Sequence, residues 1–426
     1  MSTVLLYPRV KCPVGCVYCF QHPETSSVGP YNRKAMMATA KQVYTEHDSL
    51  VLHGGEILCM PVNDFEYFLR EGSKITGKRS MSLQTSLARL TNDQLRLLKQ
   101  YNVGLGISVD GPPELNTFRG PRDPAKNKKF QHTVTKNLTK LEKANYRFGT
   151  ISVLGKHNAT PDKLPILIEW AKQHSPNARF NPLSLPFETE FELSPAELKY
   201  AWLEIAKAAL EDPRLHFSPI REFVDNLLGA FNLSTCIVNR CDGLTTVCKT
   251  IMADGELARC DRYFQDGYYY RGANPKQYSR SDMLEQTECS GCKYWQICGG
   301  GCPGEGLHGD YRHKTRFCEA YYALYEYLES KLVGMLPNIR FAYKAPDCYE
   351  KCGNSATRFD WLRDLKAAGT WRPVPVHNNR PVKQNCGCGT GDKTTHVDTH
   401  VDHTDSQHGD NYNLAPPTPG TKRPAI

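Results

Sequence analysis

The chain has 426 residues, 40% of them hydrophobic and 23% charged, which allows a buried core and two or three domains. No apolar run approaches the ~20 residues that span a bilayer. The opening Met1-Ser2-Thr3-Val4-Leu5-Leu6-Tyr7-Pro8 is too short in its apolar part for a secretory signal, so a cytoplasmic protein is expected. A net charge of +8 helps attract a polyanion but by itself describes a solvated basic surface, and in a reducing compartment 17 cysteines, an odd number, point to metal or cluster ligation before disulfides.

Along residues 1 to about 190, short β-type runs alternate with amphipathic helical stretches. Strands are predicted at Val4–Tyr7, Ser49–His53, Ser80–Thr85, Val103–Val109, Phe148–Leu154 and Ala178–Leu183. Helices are predicted at Lys34–Glu46, Asp64–Glu71, Asn92–Lys99, Thr133–Lys143 and Lys163–His174. Alternation of this kind predicts an α/β fold with a parallel sheet and outer helices. Right-handed crossovers curl such a sheet into a partial (β/α)6 barrel, and six strands leave it open enough for a large substrate. Residues 191–235 predict two connecting helices, Pro195–Leu210 and Pro219–Leu228. Residues 236–335 form a Cys- and Gly-rich second domain with little continuous core, closed by a helix at Glu319–Leu332. Residues 336–384 are an extension without a readable role. Residues 385–426, almost free of aliphatic side chains, predict a disordered tail, whose His396, His400, His403 and His408 fit a solvated segment better than a metal site.

Chemistry enters directly after the first strand, at Cys12-Pro-Val-Gly-Cys16-Val-Tyr-Cys19. Three thiolates on one tight loop can hold three irons of a [4Fe–4S] cube and leave the fourth iron open, whereas ordinary clusters take four cysteines. Tyr18, beside the last ligand, would shield it. The competing reading is zinc, which usually takes four N or S ligands in C-x2-C pairs. The loop's place at a strand C-terminus is where parallel sheets bind ligands.

This C-x3-C-x2-C loop on the first turn of a partial barrel resembles the radical S-adenosylmethionine (SAM) enzymes. The resemblance implies that the open iron chelates SAM, which one electron splits to methionine and a 5′-deoxyadenosyl radical. Gly54-Gly55-Glu56 resembles the family's second-strand motif, and Ser82-Leu83-Gln84-Thr85-Ser86 its third. Gly106-Ile107-Ser108-Val109-Asp110-Gly111-Pro112 resembles its fourth, with Arg119 where a SAM-carboxylate contact is common. The implied SAM-binding residues are Gly54, Gly55, Glu56, Ser108, Asp110 and Arg119. The glycines would let backbone approach a ligand, and Glu56 would accept from the SAM ammonium.

Further on, Cys241, Cys248 and Cys260 precede Cys289-x2-Cys292-x5-Cys298-x3-Cys302 and Cys318, eight thiols that suffice for two four-cysteine clusters or two zinc sites. The pattern resembles the SPASM domain of anaerobic sulfatase-maturing and peptide-modifying radical SAM enzymes. By position, that resemblance assigns Cys241, Cys248, Cys260 and Cys302 to a nearer auxiliary [4Fe–4S] cluster, and Cys289, Cys292, Cys298 and Cys318 to an outer one. Asp261, after Cys260, matches a proposed general base, with a turn residue as the equal alternative. Cys59 is expected in the core. No role is assigned to Cys236, Cys348, Cys352, Cys386 or Cys388.

The resemblance implies hydrogen abstraction from a substrate carbon, with a reductant such as flavodoxin or ferredoxin. The substrate is open between a peptide or protein side chain and a modified DNA base. Ser86 stands where sulfatase-maturing enzymes usually have Asn. No leader-binding domain is expected before the barrel, and the basic run from Arg119 to Lys143 (Arg122, Lys126, Lys128, Lys129, Lys136, Lys140) is dense. The missing leader domain and the charge lean toward a resemblance to phage enzymes that hypermodify thymidine, which implies an isomerase converting N-linked to C-linked glycyl-thymidine, in the host cytoplasm. Peptide side-chain oxidation or cross-linking is the alternative. A multi-cluster electron carrier is the third reading, and it would gain nothing from a vacant iron.

Overall fold

The computed structural model describes residues 3–8, 10–19, 30–77, 80–184, 189–229, 241, 248–258, 260, 280–310, 312–335, 339 and 341–344. The predicted tail, the extension beyond residue 344 and Asp261 lie outside them.

Six parallel strands follow the expected order: β1 Thr3–Leu6, β2 Ser49–Leu52, β3 Ser82–Thr85, β4 Gly104–Ser108, β5 Phe148–Leu154 and β6 Arg179–Pro182. Between them run α1 Arg33–Val43, α2 Val62–Thr76, α3 Asn92–Gln100, α4 Pro124–Lys143 and α5 Leu164–His174. In β2, β3 and β4, burial alternates residue by residue. Leu50, Leu52, Leu83, Leu105 and Ile107 face outward into one apolar core with Met36, Phe65, Phe68, Leu97, Val134 and Leu141 of the helices. The alternate positions Ser82, Gln84, Gly104, Gly106 and Ser108 give the other face a small, polar surface. A parallel sheet is ordinarily covered by apolar side chains on both faces, so a polar inner face is set apart for a ligand. The β4 glycines make room for it: a Cβ at Gly106 would sit 2.2 Å from Gln84 Oε1, and one at Gly104 2.6 Å from Ser82 Oγ.

Two differences from expectation matter. Helix α4 starts at Pro124, not Thr133, because Asp123 caps it (Lys126 N–H to Oδ1, 2.8 Å) and a first-turn proline suits a helix start. Arg122, Lys126, Lys128, Lys129 and Lys136 thereby lie on or beside one exposed helix, a solvated face, while Arg119 is buried elsewhere. The sheet also has eight strands, not six, in the order β6-β5-β4-β3-β2-β1-β7-β8. Strand β7, Cys248–Ile251, comes from the Cys-rich segment and pairs parallel to β1 (Thr3 with Cys248, Leu6 with Ile251), and β8, Leu257–Ala258, turns back antiparallel on it.

A second core joins α6 Pro195–Glu211, α7 Ile220–Leu227 and α10 Cys318–Met335 to α5 and β6. The other described helices of this part are α8, Arg280–Gln286, and α9, Trp295–Cys298. At the centre of the core Trp202 lies 5.2 Å from the Tyr321 ring and 5.7 Å from Phe223. Tyr294 and Ile297 of the Cys-rich segment belong to the same core. A buried ion pair adds a tie: Arg316 grips Glu192 at 2.7 and 2.9 Å, two residues before Cys318. No helix among the described residues is long and apolar enough to cross a membrane.

Candidate active site

Cys12, Cys16 and Cys19 sit on the loop leaving β1. Gly15 turns the loop at φ +69°, and Cys19 N–H closes it on the Cys16 carbonyl at 3.2 Å. Val17 N–H anchors it to the Phe118 carbonyl at 2.9 Å. Burial, opposed by N–H groups of Val14 and Gly15 and aided by Glu56 and Cys19, pushes the Cys12 thiol up to about 12. Burial also raises Cys16, against the pull of Arg119 and with the push of Cys19 and Cys12. The three thiols are therefore electrostatic neighbours with a cation close by, in a pocket where thiolates need a positively charged partner. Among the described residues no three His, Cys, Asp or Glu side chains converge as one metal ion requires. A cubane makes a different demand, since each thiolate takes its own iron. Three sulfurs, backbone N–H donors and a guanidinium fit such a cluster.

Opposite the loop stand Gly54 (φ +96°) and Gly55 (φ +59°), after β2. Their close approach is to the chain itself. A Cβ on Gly54 would meet the Tyr7 ring at 2.2 Å, and one on Gly55 the Val10 carbonyl oxygen at 1.7 Å. Val10 and Gly55 form a parallel bridge that carries β1 pairing into the cysteine loop. The Glu56 carboxylate is buried and held by four donors: Leu58 N–H (3.1 Å) and Thr85 Oγ on Oε1, Ser86 N–H (2.8 Å) and Ser86 Oγ on Oε2. Both its oxygens are thus engaged by the ends of β2 and β3, and Ser86 is one of the donors.

Beneath the loop lies Asp110, fully buried. Its Oδ1 accepts from Arg119 Nη2 at 3.1 Å and Val153 N–H at 2.9 Å, and its Oδ2 from the Tyr18 hydroxyl and His157 Nε2, the latter at 3.2 Å. Burial opposes ionisation, but Arg119, His157 and Tyr18 together hold the carboxyl down to about 2. Burial likewise works against the Arg119 cation, and Asp110 beside it keeps it charged. The Arg119 guanidinium also lies 5.4 Å from the Tyr18 ring centre. Tyr18 therefore ties the cysteine loop to the β4 end. Gln84 Nε2 donates to Ser108 Oγ at 2.7 Å on the inner face.

Sequence reading passed over His157. It stacks on Phe118 at 4.6 Å, and its Nδ1 has no partner among the described residues. The available signal was a histidine in Gly155-Lys156-His157-Asn158, at the C-terminal end of a parallel strand.

In the Cys-rich segment, burial raises Cys298 to about 12 with further push from Cys318, Cys289 and Cys292, and raises Cys289 to about 11 with push from Cys318 and Cys292. The four cysteines of the expected outer group are thus neighbours. For the nearer group, Cys248 opens β7, whose antiparallel partner β8 ends at Ala258, two residues before Cys260 in the chain. The Cys241 carbonyl meets Arg280, which also holds the Gly299–Gly301 turn before Cys302. Cys59 packs partly buried against the barrel core, as expected.

Residues 6–171 match the Radical SAM superfamily, whose members bind a [4Fe–4S] cluster and SAM. A "Cysteine-type anaerobic sulfatase-maturating enzyme" of Clostridium novyi (strain NT) is 23% identical over 367 residues, 78% of this chain and 96% of that protein. One of Clostridium perfringens (strain 13 / Type A) is 21% identical over 77% of this chain and 96% of its own. Among solved structures, native anSMEcpe with bound AdoMet and a peptide superposes at TM-score 0.63, with 22% identity, covering 79% of this chain and 99% of that one. Streptococcus suis SuiB bound to precursor peptide SuiA superposes at 0.52, with 14% identity, over 74% and 75%.

Proposed function

We infer that this chain, a radical SAM enzyme by its domain over residues 6–171, acts on a peptide or protein and oxidises or cross-links one of its side chains. The observation that carries this reading is the reach of the similarity: it covers 78% of this chain and 96% of a relative named for sulfatase maturation, well beyond the barrel match over residues 6–171. When bound, the cluster and SAM supply one electron and the 5′-deoxyadenosyl radical that removes a hydrogen atom from a substrate carbon.

Each residue has its own part. Cys12, Cys16 and Cys19 would hold the cluster by three of its irons, the fourth remaining for SAM. Gly54 and Gly55 seat the second loop against Tyr7 and Val10. Glu56 fixes the β3 end, so that backbone of the Gly54–Glu56 turn, not its carboxylate, would be what receives the SAM ammonium. Arg119 and Asp110 keep a balanced charge pair beside the loop, from which Arg119 would favour a bound SAM carboxylate, and Ser108 presents a hydroxyl on the polar inner face. The two cysteine groups of residues 241–318 would hold auxiliary [4Fe–4S] clusters, which would supply an acceptor for the electron that substrate oxidation releases. Asp261 takes the substrate proton in that step. Asp261→Asn is then expected to leave 5′-deoxyadenosine formation intact and cut peptide product about 10²- to 10⁴-fold, with an altered pH–rate profile. Product formed at the wild-type rate would make Asp261 a turn residue.

The test is direct. The chain is reconstituted anaerobically, reduced with flavodoxin or ferredoxin, and given SAM with either cysteine-containing peptides or glycyl-thymidine oligonucleotides. About twelve irons per chain are expected from three clusters. 5′-Deoxyadenosine made in step with a peptide mass change supports the reading. Turnover confined to the oligonucleotide would replace it with the thymidine isomerase, which none of the relatives named above supports.

A further inference from the structure

Arg280 is fully buried at the start of α8. Its Nη1 donates to the carbonyls of Cys241 (3.3 Å), Gly299 (3.2 Å) and Gly301 (3.2 Å), and its Nη2 to those of Gly300 (3.1 Å) and His313 (2.8 Å). A buried guanidinium needs its donors used, and here a ring of backbone oxygens uses them. Three of those oxygens belong to consecutive glycines, all left-handed: Gly299 at φ +58°, Gly300 at +81° and Gly301 at +74°. Such a run is cheap only for glycine.

Consecutive left-handed residues lean their carbonyls to one side and their N–H groups to the other. The Gly300 N–H hydrogen-bonds the Cys298 thiol, where it works against the upward push of burial. The turn also spans the two cysteine groups, since Cys298 precedes it and Cys302 follows it. Space around it is tight: a Cβ on Gly300 would fall 2.5 Å from Leu284 Cδ1, and one on Gly301 2.4 Å from Thr315 Cγ2. Through Cys241 the same guanidinium holds the first cysteine of the nearer group.

We propose that Arg280 is a positioning residue for both auxiliary clusters, setting the Gly299–Gly301 turn and with it the Gly300 N–H bond to Cys298 and the spacing of Cys298 from Cys302. The proposal rests on the reading that residues 241–318 hold iron–sulfur clusters. A hydrogen bond to a cluster sulfur stabilises the reduced, more negative state, so its loss lowers the reduction potential.

The test uses the full chain, reconstituted anaerobically, with wild type, Arg280→Lys, Arg280→Gln and Gly300→Ala compared. Iron per chain and the midpoint of each cluster in an EPR-monitored titration are read. Both Arg280 variants are expected to shift the midpoint of the cluster held through Cys298 to lower potential and to lose part of the auxiliary iron. Lysine should not rescue, because it keeps the charge but not the fork. Gly300→Ala should lower the same midpoint and leave the SAM-responsive signal in place, and it decides the matter if the Arg280 variants do not fold. Unchanged midpoints and iron in these variants would overturn the proposal. A wild-type chain holding only about four irons would fail at the earlier reading of two auxiliary clusters, and the proposal would fall with it.

Discussion

Asp110 shows how one side chain can organise a reactive loop it does not belong to. It holds Tyr18, between two of the cysteines, and balances Arg119 in a dry place. Asp110→Asn would leave that guanidinium without its counter-charge, at a cost of about 3–5 kcal/mol in a buried pair. Denaturant unfolding at neutral pH should show it. The pH dependence has a defined sign. Because the folded carboxyl is depressed to about 2 from 3.8, its contribution is present above about pH 4 and lost as pH falls through about 2. The stability gap between wild type and Asp110→Asn should therefore narrow over that range. A constant gap would mean that the charge is not what matters. Cys16→Ala removes one of three ligands, and should abolish 5′-deoxyadenosine formation and about four irons while auxiliary EPR signals persist. Residual SAM cleavage would break the assignment of the loop.

At the scale of elements, the motif after β2 is as much joinery as ligand site. Gly55→Ala would drive a Cβ into the Val10 carbonyl at a positive φ. Neither the oxygen nor the backbone can yield cheaply, so Val10 and the cysteine loop must shift. Reconstituted Gly55→Ala should hold less SAM-cluster iron, with the signals from residues 241–318 unchanged. Full loading would show that the loop tolerates a parting of Val10 from Gly55. Most elements could be read from the sequence because their signals are local. The β5 run matched residue for residue, and α6 begins at Pro195 as predicted, where the structure shows Ser194 capping it. Helix α4 was misjudged because its first turns, Pro124 to Lys129, are polar and lack the periodicity that marked the remainder. The three cysteines were legible from spacing. The engagement of Glu56 by Thr85 and Ser86 was not, since it depends on two strand ends meeting across the sheet.

Across the whole molecule, what escaped the sequence is long-range pairing. Cys248-Lys249-Thr250-Ile251 lies in a cysteine-rich stretch in which no individual strand was predicted, and nothing local names β1 as its partner. The shared aromatic core of Trp202, Phe223 and Tyr321 likewise ties the connecting helices to the last one, so residues 1–190 alone lack both a strand neighbour and a covering layer. A chain ending at residue 190 should expose the β1 edge together with Leu167 and Phe180, and aggregate on expression. A monomeric truncation with a cooperative thermal transition would show that the barrel stands by itself.

That late strand also constrains the order of events during synthesis. As the nascent chain leaves the ribosome, the segment bearing Cys12 emerges first, yet the edge beside it is sealed only after residue 251 has been made. Assembly of the first cofactor site is thereby coupled to arrival of the residues that carry the others, so a prematurely terminated product should be a substrate for proteases before it is ever a source of uncontrolled radicals.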